Sequence, residues 1–117
     1  MNKKYYPIKL QKAVETLFTR KGACTPALRQ AIEAYAAKKS GADREAQSIP
    51  AELVNYVDKV TLHAYKVTDE DVQQLRKAGY SEDAIFEITL SASVGASLAR
   101  LERGMQALEA SRALTNS

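Results

Sequence analysis

One cysteine, one histidine and no tryptophan among 117 residues remove several chemistries before any motif is read. A lone Cys excludes an internal disulfide framework and a multi-thiolate metal site within one chain. A lone His excludes a paired-imidazole metal site within one chain. Gly and Pro are scarce, five and three, and neither Asn-Gly nor Asp-Gly occurs, so the usual hairpin signals are missing. Seventeen Lys and Arg against fourteen Asp and Glu leave a formal charge of +3, too small to imply nucleic acid or an acidic membrane by itself. No uninterrupted apolar run approaches the ~20 residues of a membrane span. Lys3 and Lys4 resemble the start of a signal peptide, but Lys9, Gln11 and Lys12 interrupt the apolar stretch that would have to follow. We therefore expect a cytoplasmic protein, with no membrane or nucleic-acid partner.

What is abundant is Ala, Leu, Glu, Gln, Lys and Arg, all good helix formers. The chain suits a single domain over 1–117, and at this size about two-thirds of the unfolded surface can be buried. Apolar periods and cap signals predict five helices and no sheet. The first runs from Ile8 or Leu10 to Arg20, with Leu10, Val14, Leu17 and Phe18 on one face and Gly22 as its stop. The second starts at Thr25-Pro26, carries Leu28, Ile32 and Tyr35 inward, and closes at Gly41. Residues 40–48 lack a large apolar side chain and are expected to form a mobile loop. The third helix spans Ile49-Pro50 to about Tyr65, with Leu53, Val54, Val57, Val60 and Ala64 as its stripe. The fourth is short, capped by Thr68 and stopped by Gly79. Asp69, Glu70 and Asp71 fall in its first turn, where the helix dipole favours them, and we read them so rather than as metal ligands. The fifth begins at Ser81 and runs to about Ala113, with its last residues fraying.

The fifth helix holds the most informative local pattern. Ser91, Gly95 and Ala99 recur at intervals of four, with Ala92 and Ala96 beside them. An interior Gly costs a helix about 1 kcal/mol relative to Ala, and close approach of another helix is the usual compensation. Ile85, Phe86 and Leu98 are expected around that crossing. Further along, Leu98, Leu101, Met105 and Leu108 continue the apolar stripe beyond what four shorter helices can cover, which predicts a homo-oligomer.

The segment His63-Ala64-Tyr65-Lys66-Val67-Thr68-Asp69-Glu70-Asp71-Val72, then Leu75, then Ala78-Gly79-Tyr80-Ser81-Glu82-Asp83-Ala84-Ile85-Phe86-Glu87, resembles the carboxymuconolactone decarboxylase and alkylhydroperoxidase D-like family. The resemblance covers roughly residues 49–108, and residues 1–48 match it poorly; residues 1–9 read as an N-terminal arm. It implies an alkylhydroperoxidase D-like helical bundle and a commonly oligomeric protein. Peroxidase-type members carry Cys-x-x-Cys followed by three residues and His. Here Tyr56 and Lys59 stand where those thiols would be counted back from His63, so a dithiol cycle is not expected.

Three residues are candidates for chemistry. Cys24 lies just before the second helix with Arg20 and Lys21 nearby, a setting that can lower a thiol pKa; the plainer reading is an incidental loop cysteine. His63, near the end of the third helix, offers general acid/base work; the plainer reading is a histidine at a helix C-terminus. Glu87, between Phe86 and Ile88, offers a carboxylate among apolar neighbours; the plainer reading is a partner for Arg100 or Lys59. Arg100 stands where the family resemblance places an arginine and is the candidate binding residue. No metal ligand set and no cofactor are expected. Tyr5-Tyr6 beside Lys3-Lys4 suits a docking arm better than a nucleic-acid platform.

Two functions follow. The first is a family-like protein without a redox pair, which binds or transforms a small molecule in an inter-helix pocket of an oligomer by non-thiol acid/base chemistry. The second is a non-catalytic helical oligomerisation or interaction module. A cavity gathering His63, Glu87 and Arg100 favours the first, and their dispersal favours the second.

Overall fold

A computed structural model describes residues 3–45 and 47–115. Five α-helices and two short 3₁₀ turns make up its regular structure, and no strand occurs among the described residues. The helices are α1 (Ile8–Thr19), α2 (Pro26–Lys39), α3 (Ala51–Leu62), α4 (Asp69–Lys77) and α5 (Glu82–Thr115). The all-α expectation therefore holds, with helix starts close to those read from the caps.

Local chemistry explains most boundaries. Thr25 accepts a hydrogen bond from the Leu28 amide with Pro26 at the first helical position. Thr68 and Asp71 form a reciprocal capping box at the start of α4. Gly41 and Gly79 adopt φ of +100° and +101° just beyond α2 and α4, a conformation that favours glycine.

Four expectations need correction. Gly22 is not the left-handed stop of α1, since its φ is not positive; α1 ends at Thr19, and Arg20 is already extended. The third helix ends at Leu62, because His63 leaves helical geometry at φ −145°. Ala64 accordingly lies exposed in a 3₁₀ turn instead of on the α3 stripe. Phe86 does not pack at the helix crossing but is 66% exposed. The 40–48 loop is partly fastened, with Ala42 buried and Arg44 bonded to Glu33; Ala46 and the last two residues, 116–117, lie outside the described residues.

The core sits where α2 and α3 pack on the first half of α5. Ile32, Leu53, Val57, Ile88 and Ala92 are fully buried there. Gly95 makes the α2–α5 contact possible. A Cβ at that position would lie 2.2 Å from the Glu33 carbonyl oxygen, so only glycine lets the two backbones meet. The close approach expected of the small-residue stripe is thus made within the chain. Past Ala99, α5 projects from the bundle, which measures 58 × 29 × 21 Å overall. By length and composition α5 could cross a membrane, and half of its most apolar window is buried inside the bundle. Its far end touches the N-terminal 3₁₀ turn (Lys3–Tyr5), where Lys4 and Tyr5 both reach Glu109, at 2.8 and 2.9 Å.

Candidate functional site

The candidate residues named from the sequence fall in separate places. Glu87, half-buried on the first turns of α5, accepts hydrogen bonds from the amides of Ala23 (2.7 Å) and Cys24 (3.0 Å). Its carboxylate also lies 3.6 Å from Nε of buried Arg29. Arg29 in turn donates to the carbonyls of Leu17 and Arg20, which are free because α1 has ended. One carboxylate and one guanidinium therefore bind together the end of α1, the following loop and the start of α2. Gly22 belongs to this arrangement, since a Cβ there would meet Oε1 of Glu87 at 2.6 Å. Glu87 thus pairs with Arg29, not with Arg100 or Lys59; Lys59 holds Asp71 at 2.9 Å.

Cys24 lies inside this junction. It is buried, and its thiol contacts the Ala84 carbonyl at 3.5 Å. Burial pushes the thiol pKa up, and the Glu87 charge pushes the same way against Arg29. The sign is opposite to that of an activated nucleophile.

His63 caps the end of α3, exposed, with its ring edge-to-face with Tyr65 at 6.1 Å. Arg100 donates to the Thr61 carbonyl at 3.1 Å, satisfying one of the free carbonyls of the same helix end. Arg100 and His63 therefore share the end of α3. Glu87 is thirteen residues before Arg100 on α5, about 20 Å along the helix axis. The three do not share a cavity.

A different group of polar residues does converge, beside a groove between α1 and α2. This groove has a volume of about 400 Å³ and is lined by Val14, Phe18, Gln30, Glu33, Arg44 and Gln47, among others. Glu33 is buried in the wall and pairs with Arg44 at 2.6 Å. Tyr6 lies within electrostatic reach of that pair and of Glu102, which is fully buried on α5. One of the Glu102 oxygens is 3.5 Å from the Tyr6 hydroxyl, and the other has no hydrogen-bond partner among the described residues. Burial and the neighbouring Glu102 charge push the Tyr6 phenol up to about 12, while Arg44 opposes them. The phenol stays neutral at ordinary pH and donates to the Leu98 carbonyl at 3.0 Å.

Glu33, Arg44, Glu102 and Tyr6 were not legible as a cluster. They lie on four separate segments, and Arg44 sits in the stretch read as a free loop. Glu33 alone left a trace, as an acidic residue among Ile32, Ala34, Ala36 and Ala37 in the middle of α2. Among the described residues, no group of three or more His, Cys, Asp or Glu side chains is arranged to hold a metal ion. Comparison with known protein families, curated proteins and solved structures finds no match for this chain.

Proposed function

We propose that the chain is a carboxymuconolactone decarboxylase-like helical protein, with an alkylhydroperoxidase D-like bundle, that binds a small molecule in the α1–α2 groove. One observation carries this reading: in the groove wall the buried Glu33 carboxylate pairs with the half-buried Arg44 guanidinium. Desolvating two charges is costly, and a well-packed apolar pair of similar volume is often as stable. A charge pair retained beside a groove of ligand size is better accounted for by binding than by stability. The groove suits a small organic molecule with an apolar body against Phe18 and Val14 and a hydrogen-bonding edge toward Gln30, Glu33 and Arg44. The ionisable groups among its lining residues are the carboxylates of Glu15 and Glu33 and the guanidinium of Arg44. The raised thiol pKa and burial of Cys24 speak against thiol chemistry.

The test is a fragment screen by amide chemical-shift mapping. Ligands with Kd below about 1 mM, equivalent to roughly 4 kcal/mol, should perturb Phe18, Gln30, Glu33 and Arg44 together. Arg44→Gln should weaken them at least tenfold, while His63→Ala leaves them unchanged. Shifts confined to other surfaces would refute the groove as the site.

The separation of His63, Glu87 and Arg100 favours the second reading, a non-catalytic helical association module. On that reading the screen yields no ligand in the groove and the working surface is the outer face of α5.

A further inference from the structure

Gly104 lies in the middle of the projecting half of α5, and nothing among the described residues requires a glycine there. Glycine is among the poorest helix formers. A Cβ built at Gly104 meets no atom of the described residues within 4 Å, whereas one at Gly95 meets the Glu33 carbonyl. Close approach inside the fold accounts for Gly95 and leaves Gly104 without a reason.

Gly104 belongs to a larger pattern. Leu90, Val94, Ser97, Leu101, Gly104 and Leu108 follow one another at steps of four, three, four, three and four. That is the spacing of a coiled-coil seam. The seam faces away from the core: Leu101 is 40% and Leu108 43% exposed, and Phe86 at its near end is 66% exposed. Leu10, Ala13 and Leu17 of α1 stand beside it across an apolar groove of about 340 Å³.

We propose that this face binds a second copy of the chain, with the two α5 helices antiparallel and paired across a two-fold axis. The side-chain sizes select the direction. Set antiparallel, Val94 meets the partner's Gly104, Ser97 meets the partner's Leu101, and Leu90 meets the partner's Leu108. Small residues thus receive large ones in the four inner layers, and the ends close on leucine pairs. Set parallel and in register, Gly104 would face glycine, Ser97 serine and Leu101 leucine, leaving gaps beside crowded layers.

Charge selects the same direction. The start of α5 is acidic, with Glu82 and Asp83 exposed, and its last turn carries Arg112. The antiparallel arrangement brings the last turn of α5, with Arg112, to the level of the partner's first turns, with Glu82 and Asp83. It also opposes the two helix dipoles. A parallel pair would stack acid on acid. Arg100, which flanks the seam, turns inward to the Thr61 carbonyl.

The area is sufficient. Phe86 to Arg112 spans about 39 Å of helix, at about 10 Å width, and α1 adds about 18 Å by 10 Å. That is on the order of 600 Å² per chain, at the lower bound for a stable pair.

Sedimentation equilibrium of the full chain should show a dimer. Gly104→Leu should raise the helical content of the monomer, because its own fold has space for the side chain, yet weaken the dimer at least tenfold. Spin labels at Ala110→Cys in a Cys24→Ser background should lie about 35 Å apart across the dimer axis, against under about 20 Å for a parallel pair. A wild type that stays monomeric at several hundred micromolar would overturn the proposal. So would a dimer indifferent to Gly104→Leu, or the shorter label distance. So too would a monomer that binds mixed phosphatidylcholine and phosphatidylglycerol vesicles and loses that binding on Leu101→Glu.

Discussion

The two halves of α5 are built from similar residues and serve opposite ends. From Glu82 to Ala99 one face of the helix is buried in the bundle: Ile85, Ile88, Ala92 and Ala96 are buried, and Gly95 touches the α2 backbone. From Arg100 on, Glu102 alone among the described residues is buried, and leucines face outward. Each half also uses one glutamate to secure an N-terminal segment. Glu87 holds the amides of Ala23 and Cys24, and Glu109 holds the side chains of Lys4 and Tyr5. The first tie is half-buried and backed by Arg29; the second lies in solvent. A helix can thus be one unbroken hydrogen-bonded rod and still have a half stabilised by burial and a half that depends on what it meets.

The largest effect should come from the glycine in the enclosed half. Gly95→Leu forces the α2 and α5 backbones apart, and overpacking against a backbone should cost about 3 kcal/mol or more. Urea denaturation of the variant should show a midpoint far below that of the wild type, or no folded baseline. Gly104→Ala should have the opposite sign, a gain of about 1 kcal/mol for the isolated chain, because only helix propensity changes there. Equal effects at the two positions would dissolve the distinction between the halves.

The next effect concerns Glu87. Glu87→Ala leaves the buried Arg29 without its carboxylate and the Cys24 amide without its acceptor. A loss of about 2–3 kcal/mol is expected. Hydrogen exchange should locate the loss at the start of α2 and the end of α1, while α4 keeps its protection. A variant as stable as the wild type would mean that the junction is held by apolar packing alone.

How much of this could be read beforehand depends on the range of the interaction. Thr25, Thr68, Gly41 and Gly79 act on backbone groups within a few residues, so their roles follow from local sequence. Gly95 was legible because a mid-helix glycine within a period of small residues implies a neighbour, though not which one. Gly22 was misread as a helix stop because its actual constraint, the Glu87 carboxylate, comes from a residue 65 positions later. Arg29 and Glu33 are four apart on α2, a spacing that suits an intrahelical pair, yet the fold gives Arg29 to Glu87 and Glu33 to Arg44. Phe86 followed the apolar pattern and still faces outward, since one face of a helix can serve a core while another stays uncovered. His63, Glu87 and Arg100 were grouped by chemistry alone, and nothing local fixes the distance between helix ends.

The smallest effect tests the weaker tie. The Lys4 ammonium, then the Tyr5 hydroxyl, hold the Glu109 carboxyl below its ordinary value of 4.5. Glu109 in turn raises Lys4 above 10.5 and Tyr5 above 10.0. The signs set the window. A depressed carboxyl contributes fully above 4.5, and its contribution is lost as pH falls through the lower folded value. The raised Lys4 contributes fully below 10.5 and is lost as pH rises through its higher folded value. The tie therefore holds the N-terminal turn to α5 between those limits and loosens on either side. All of these groups are exposed, so salt should weaken the tie as well. A carbon-detected titration of Glu109 should show a midpoint below 4.5 that returns toward it in Lys4→Gln/Tyr5→Phe. A midpoint of 4.5 in the wild type would mean that the projecting half of α5 is not held by its own N-terminus. Whatever order it has would then have to come from the second copy, and the midpoint would separate with dilution into bound and free values.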